Sequence, residues 1–243
     1  MVKRSMDLLG SALGLVAASP ILLPVMFLVW LQDYYSPFYI AERIGKNGIP
    51  FRMVKLRSMV VNADKSGVDS TASSDSRITP VGKFIRAYKL DELSQLWNVL
   101  KGDMSLVGPR PQVARDVALY TAQEQQLLNV KPGITDISSI VFSDEGEILN
   151  GRPDPDLAYN QLIRPWKSRL GLLYIEKQST ILDLRLIWLT AIAVVSRRRA
   201  LEGVVRVLQN LGASDDLIRV AQRAEDLTPS PPPGASEIVM QRA

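Results

Sequence analysis

The chain has 243 residues, room for one substantial domain with appendages, and 47% of them are hydrophobic, apolar enough that membrane contact must be tested. It has no histidine and no cysteine, which excludes thiolate catalysis, structural zinc, disulfides and the commonest general base, and leaves any metal to oxygen ligands. Its 29 Lys and Arg against 25 Asp and Glu give a net charge of +4, a surplus that suits nucleotides, phosphates or an anionic membrane face and is too small to indicate nucleic acid.

No residue between Asp7 and Asp33 is charged, and the run LLGSALGLVAASPILLPVMFLVWLQ has the length of a membrane-spanning helix. Three readings compete: a cleaved signal peptide with Lys3 and Arg4 as its basic start and VAAS as its cleavage site, a simple span, and a re-entrant helix that enters and leaves by one face. Pro20 directly after the cleavage site, and the apolar run beyond it, speak against the first. Ser19-Pro20 falls near the middle of the run and Pro24 follows. A proline removes a backbone donor and clashes with the preceding turn, and a serine beside it can satisfy a freed carbonyl. Each arm is then about a dozen residues, roughly 18 Å at 1.5 Å per residue, against a hydrocarbon core of about 30 Å. Basic residues flank both ends: Lys3 and Arg4 before, and Arg43, Lys46, Arg52, Lys55 and Arg57 after. Both ends therefore belong on the cytoplasmic side. The favoured reading is a re-entrant helix over residues 1–33, broken at Ser19 and Pro20.

Residues 34–60 read as short strands around turns. RIGKNGIP carries a hairpin signal. FRMVKLRSMV alternates, with Phe51, Met53, Lys55 and Arg57 on one face and Val54 and Leu56 on the other. The polar stretch NADKSGVDSTASSDSRI, 62–78, predicts a mobile loop with a short helix at its start. Thr79-Pro80 starts a helix. A break near Lys89-Leu90 precedes a second helix with Leu93, Leu96, Trp97 and Leu100 on its apolar face, closed by Gly102. Met104 to Val107 is extended, 113–129 a helix, and KPGIT at 131–135 a turn.

In ILDLRLIWLTAIAVVSRRR, Asp183 and Arg185 interrupt the apolar pattern and Arg197 to Arg199 end it. The uninterrupted part, Leu186 to Val195, is too short to span. It suits an interfacial helix with basic anchors, and equally a buried core helix. Residues 201–226 predict a further amphipathic helix, and TPSPPPGASE a disordered tail. The fold expected is α+β: a mainly helical monotopic membrane protein with small β elements and interfacial helices. Its parts are a membrane helix (1–33), a catalytic domain (34–200), and an amphipathic helix with a tail (201–243).

The stretch KLDELSQLWNVLKGDMSLVGPRP sets adjacent carboxylates, Asp91 and Glu92, before an apolar-periodic run and mounts Arg110 on a turn. Neighbours on a helix point about 100° apart, so the two carboxylates suit separate tasks rather than one shared proton. At a helix start the dipole favours a carboxylate anion and also a phosphate. Lys55, Arg57, Arg86 and Arg110 supply positive charge from several segments. An oxygen nucleophile, a divalent ion and cationic clamps are what phosphoryl chemistry needs. The plain alternative is that Asp-Glu is an acidic first turn and nothing more.

RAYKLDELSQLWNVLKGDMSLVGPRP closely resembles the signature of the bacterial sugar transferase family, the monotopic phosphoglycosyl transferases. Further matches are the Ser-Pro-broken first helix, ERIGKNGIPFRMVKLRSM, DSRITPVGKFIR, VKPGIT and LDLRLI, so the resemblance covers roughly residues 1–200. It implies transfer of a phospho-sugar from a UDP-sugar to polyprenol phosphate at the cytoplasmic face of the bacterial inner membrane, releasing UMP. That is the first membrane step toward capsule, exopolysaccharide, O-antigen or glycoprotein glycans. By resemblance, Asp91 is the nucleophile and a ligand of Mg2+ or Mn2+. Glu92 assists as base or in the metal environment, and Arg86 and Arg110 surround the phosphates. Lys55, on the family's basic strand, is a further candidate for the same task. Membrane lipids are implied partners, nucleic acid is not, and a homo-oligomer is left open.

The sequence departs from the family's common pattern in places. PGITDISSIVFSDEGEIL stands where many members read PGITGWAQVNGR, so Asp136 replaces a glycine and the Asn-Gly-Arg element is missing, with Arg152 no substitute. Ser94 stands where proline is common. Two rivals remain: a membrane-surface diphosphate hydrolase that uses water in place of the lipid phosphate, and a non-enzymatic membrane scaffold.

Overall fold

A computed structural model describes residues 2–63 and 74–240; most of the loop expected at 62–78 lies outside the described residues. The uncharged amino-terminal run is helix α1 (Val2–Leu31), which continues through Pro20 and Pro24, so the break expected at Ser19 and Pro20 does not interrupt it. Pro20 has no N–H for the carbonyl of Val16, one turn earlier, and the Ser19 hydroxyl donates to that carbonyl at 2.8 Å. The helix thus passes the proline with this acceptor satisfied. By length and composition α1 could cross a membrane.

After α1 comes the antiparallel hairpin β1 (Phe38–Ile44) and β2 (Pro50–Leu56), in the register Phe38↔Leu56 to Ile44↔Pro50. Asn47 and Gly48 take positive φ in the connection, as the Asn-Gly signal predicts. The alternation expected along β2 is broken: Met53 and Leu56 are the buried apolar positions, facing different clusters, and Arg57 lies beyond the strand. Helix α2 (Pro80–Ala87) begins at Thr79, whose Oγ1 accepts from the Gly82 amide. The second helix expected from the sequence is two pieces, α3 (Leu90–Leu93) and α4 (Leu96–Lys101), closed by Gly102 at φ +103°. Trp97, expected on the apolar face, is exposed, and Asn98 is buried in its stead.

Strand β3 (Ser105–Val107) pairs in parallel with β4 (Gly133–Thr135), so the segment expected as a turn is a strand. A Cβ on Gly133 would lie 2.1 Å from the Gly108 amide nitrogen, so only glycine permits this approach. The helix expected at 113–129 is also divided, into α5 (Ala114–Ala118) and a 3-10 turn, Glu124–Asn129. Thr121 and Glu124 divide it by a reciprocal cap: the Thr121 amide donates to Glu124 Oε2 at 3.0 Å and the Glu124 amide to Thr121 Oγ1 at 3.2 Å.

Short helices α6 (Ile137–Val141), α7 (Glu145–Ile148) and α8 (Pro155–Ala158) lead to α9 (Arg164–Lys177) and α10 (Thr180–Val195). Ser196 ends α10 and caps α11 (Arg197–Asn210), so the basic triplet opens a new helix, and α12 (Asp215–Gln222) follows. The largest core joins Ile137, Ile140, Leu149, Leu170, Tyr174 and Leu186 to Val204, Leu208 and Ala221; the carboxy-terminal helices share it. The proline-rich tail, expected as free chain, is also bound. Arg169 donates to the Pro231 carbonyl at 2.8 Å and Gln161 to that of Val239 at 2.7 Å.

Charge fastens α1 to this body. Lys3 Nζ donates to Asp183 on α10 at 2.7 Å and to the Val107 carbonyl at 3.0 Å. Arg4 reaches the carbonyls of Val99 and Leu100 at the end of α4, at 2.7 and 2.9 Å. Buried Asp7 accepts from Ser105 Oγ and the Leu106 amide. Beyond the other end, Arg57 grips Asp33 with two bonds of 2.6 and 2.7 Å. Between them Ala18, Leu22, Val25 and Val29 pack on Leu56, Ile85 and Leu90, while Leu9, Leu13, Val16, Leu23 and Phe27 stay exposed.

Glu124 is fully buried and accepts from Arg164 Nη2 at 2.6 Å, Arg164 Nε at 3.1 Å and Ser168 Oγ at 2.7 Å. Arg164→Met strands this carboxylate and should lower unfolding stability by about 3–5 kcal/mol. Adding Glu124→Leu should restore most of the loss, as thermal denaturation in detergent will show.

Candidate active site

Lys89, at φ +53°, turns the chain sharply from α2 into α3 and so separates Asp91 and Glu92 from the preceding helix. They occupy a single helical turn rather than the head of a Leu93–Leu100 helix. So short a helix carries little dipole, and side chains must supply the electrostatics.

Two polar residues hold that turn against β2. The Ser94 hydroxyl lies within donating distance of the Asp91 carbonyl at 2.9 Å and the Val54 carbonyl at 3.2 Å. Buried Asn98 mimics a neighbouring strand: its Nδ2 donates to the Arg52 carbonyl at 2.7 Å, and its Oδ1 accepts from the Val54 amide at 2.9 Å. The next residue along β2, Lys55, therefore faces α3. Arg110 arrives from the other side on the turn after β3, pinned by Gly108 N donating to Thr135 O and Gly133 N to Pro109 O, both at 3.0 Å.

The result is a pair of ion pairs. Lys55 Nζ stands 3.6 Å from Asp91 Oδ2, and Arg110 Nη1 donates to Glu92 Oε1 at 2.9 Å. The adjacent carboxylates face different cations, as their angular separation requires. All four side chains are 17–29% exposed, sheltered yet reachable. Arg86 donates from Nε to Ser58 Oγ at 2.9 Å, and its charge also bears on Asp91. Arg57 does not join; it is spent on Asp33.

The charges are tuned by this packing. Burial pushes the Lys55 ammonium below its ordinary value, helped by Arg110 and opposed by Asp91 and Glu92. Burial works against ionisation of Glu92, but Arg110, Lys89 and Lys55 outweigh it and bring the carboxyl down to about 2. Glu92 in turn raises Arg110. Burial lowers Arg86, with Asp91 and Asp75 opposing.

Spacing alone does not lead from the Asp-Glu motif to two further charged residues. Glu145, in the first turn of α7, pairs with Lys167 on α9. Lys167 lines a cleft with Arg110, Gln112 and Tyr159. Glu145 belongs to the segment that departs from the family's common pattern. There, buried Asp136 caps α6, accepting from the Ser139 amide at 2.6 Å, so the residue replacing glycine starts a helix.

Among the described residues no cluster of three or more carboxylates stands ready to hold a metal alone. Magnesium commonly takes one or two carboxylates together with substrate phosphates, and the accessible Asp91–Glu92 pair fits that donor set.

The chain matches the bacterial sugar transferase family over residues 1–197. A Bacillus subtilis protein provisionally named as an undecaprenyl-phosphate N-acetylgalactosaminyl 1-phosphate transferase is 46% identical over 111 residues, covering 46% of this chain and 62% of the relative. The exopolysaccharide production protein ExoY of Sinorhizobium fredii is 34% identical over 211 residues, 81% of this chain and 86% of that protein. The undecaprenyl-phosphate galactose phosphotransferase of Salmonella typhimurium is 33% identical over 211 residues, 81% of this chain but 41% of the relative. The match thus spans less than two thirds of the Bacillus and Salmonella proteins.

The depressed Glu92 value fixes a pH dependence. A carboxyl near 2 when folded and about 4.3 when unfolded stabilises fully above about pH 5, and that contribution is lost as pH falls toward 2. The stability gap between the parent and Glu92→Gln should be level from about pH 7 to 5 and shrink below about pH 4.5 in thermal melts. A gap that stays level to about pH 3 would contradict the ion pair.

Proposed function

The chain belongs to the bacterial sugar transferase family, and on that premise we propose that it transfers a sugar 1-phosphate from a UDP-sugar to polyprenol phosphate, undecaprenyl phosphate in bacteria, to begin a surface glycan such as an exopolysaccharide. The observation that carries the proposal is the pairing of Asp91 with Lys55 and of Glu92 with Arg110 on one sheltered, accessible rim.

An Asp91 oxygen attacks the phosphorus bonded to the sugar. The bond from that phosphorus to the bridging oxygen breaks, and UMP leaves with that oxygen. The acyl phosphate so formed keeps the sugar on Asp91. A phosphate oxygen of the polyprenol then attacks the same phosphorus, the bond to Asp91 breaks, and the product is a polyprenyl diphosphate sugar. Lys55 and Arg110 stabilise charge on the phosphoryl oxygens, and Arg86 adds to the field on the Asp91 side. A carboxyl held at about 2 by Arg110 is a poor base at neutral pH; Glu92 therefore orients Arg110 and contributes to an oxygen-ligated metal environment. Asp91 and Glu92 would hold Mg2+ or Mn2+, which when bound neutralises diphosphate charge.

The contacts of α1 support a monotopic arrangement, and the proposed place of the protein is the cytoplasmic face of the inner membrane. Residues 3–7 and Asp33 are tied to the same body, so a helix crossing the bilayer would have to give up one set. The outward apolar face of α1 is matched on α10 by Ile181, Leu184 and Trp188, while Leu182, Leu186 and Leu189 face the core. Such a surface seats a protein in the headgroup region, where the lipid phosphate lies.

Purified protein in detergent with undecaprenyl phosphate, Mg2+ and a panel of UDP-sugars should release UMP, and EDTA should stop it. Asp91→Asn should abolish transfer, and brief exposure of the parent to donor should leave a phospho-sugar on the peptide containing Asp91. An adduct on Ser94, or a fully active Asp91→Asn variant, overturns the assignment. UMP release at full rate without lipid acceptor identifies a hydrolase.

Topology is tested by single cysteines in a chain with no native cysteine. Val2→Cys and Lys46→Cys should both resist an impermeant thiol reagent in intact cells. Labelling of residue 2 means a crossing helix.

A further inference from the structure

We propose that Lys167 is an additional cationic clamp for the donor diphosphate, and that Glu145 occupies and positions it until the phosphates arrive. This rests on the phosphoglycosyl transfer reading above.

The argument begins with charge. Lys55 and Arg110, the cations nearest the carboxylates, are already matched by Asp91 and Glu92. A diphosphate brings further negative charge to a place where these two cations are already paired. A further cation close by, with a partner that can be exchanged, adds to what Arg86 supplies on the Asp91 side.

Lys167 is such a cation. It lines the same cleft as Arg110, with Gln112 and Tyr159 between them. Gln112 Nε2 donates to the Tyr159 hydroxyl at 3.2 Å, linking the turn that carries Arg110 to the wall beneath Lys167. The Lys167 ammonium sits 5.3 Å from the centre of the Tyr159 ring, and its side chain is only 10% exposed. A point charge so enclosed is directed rather than free to wave in solvent.

Its partner is less enclosed. The Glu145 side chain is 33% exposed, so water can take over the carboxylate when a phosphate oxygen takes over the ammonium. Burial opposes charge on Glu145, but Lys167 above all, then Arg110 and Lys55, hold its carboxyl below the ordinary value. Glu145 thus feels the same cations that the phosphates will use, and its anion stands in for theirs.

The start of α7 is fixed at the last residue of the family match, Arg197, and from beyond it, by Arg223. Asp144 Oδ2 is held by Arg197 at 2.8 Å and Arg223 at 3.2 Å, so α11 and the end of α12 set where Glu145 stands.

Binding of UMP and UDP to the full chain in detergent, by titration calorimetry, gives opposite signs for the two partners. Lys167→Met should weaken both nucleotides about tenfold, the loss of one charge-assisted hydrogen bond, while Lys167→Arg stays near the parent. Glu145→Gln removes the competing anion and should tighten both. In turnover, Lys167→Met should raise KM for the UDP-sugar and leave KM for undecaprenyl phosphate unchanged. Equal weakening by Lys167→Met and Glu145→Gln would make the pair a structural strut, and unchanged nucleotide binding in a folded Lys167→Met variant would remove Lys167 from the site; either overturns the proposal while the parent still turns over. A parent that neither binds UMP nor releases it from any UDP-sugar removes the transfer reading, and this inference with it.

Discussion

A charge taken out of water must be met by an opposite charge or by hydrogen bonds, and this constraint joins the segments of the molecule. Nearly half of the residues are hydrophobic, so apolar packing is available everywhere and is not selective. Ion pairs select. Lys3 finds Asp183, Arg57 finds Asp33, and Arg164 finds Glu124. Each fixes one element on another distant in sequence. The apolar helix α1 is laid along the body because charge closes both of its ends.

The same constraint shapes the site. Asp91 and Glu92 are neighbours, yet they answer to cations from different elements, Lys55 on β2 and Arg110 on the turn after β3. Neutral residues make this possible: Asn98 supplies the missing edge for β2, and Ser94 links α3 to the same strand. Matched pairs keep four half-buried charges tolerable.

The segment following β4 shows how a departure from a family pattern is absorbed. Asp136 caps a helix that glycine would not, and α6 and α7 then pack in the main core with α9, α10 and α11. Arg223, outside the matched residues, reaches back to Asp144. The carboxy-terminal helices therefore belong to the support of the site's rim.

Local signals were legible in the chain wherever the cause was local. The Asn-Gly hairpin, the Thr79-Pro80 start, the Gly102 stop and the long apolar helix follow from backbone preferences acting over a few residues. The Thr121–Glu124 cap had a readable spacing as well, but helix periodicity masked it. The Asp91–Glu92 motif and the cations Lys55, Arg86 and Arg110 could be named from sequence because they sit in one recognisable pattern. Tertiary structure alone decided which cation meets which carboxylate, that Arg57 is withdrawn to Asp33, that Gly133–Thr135 becomes a strand beside Ser105–Val107, and that Lys167, paired with Glu145, lines a cleft with Arg110. Those outcomes depend on distance between segments far apart in the chain, and burial then fixes their charges; neither quantity is written in the spacing of residues.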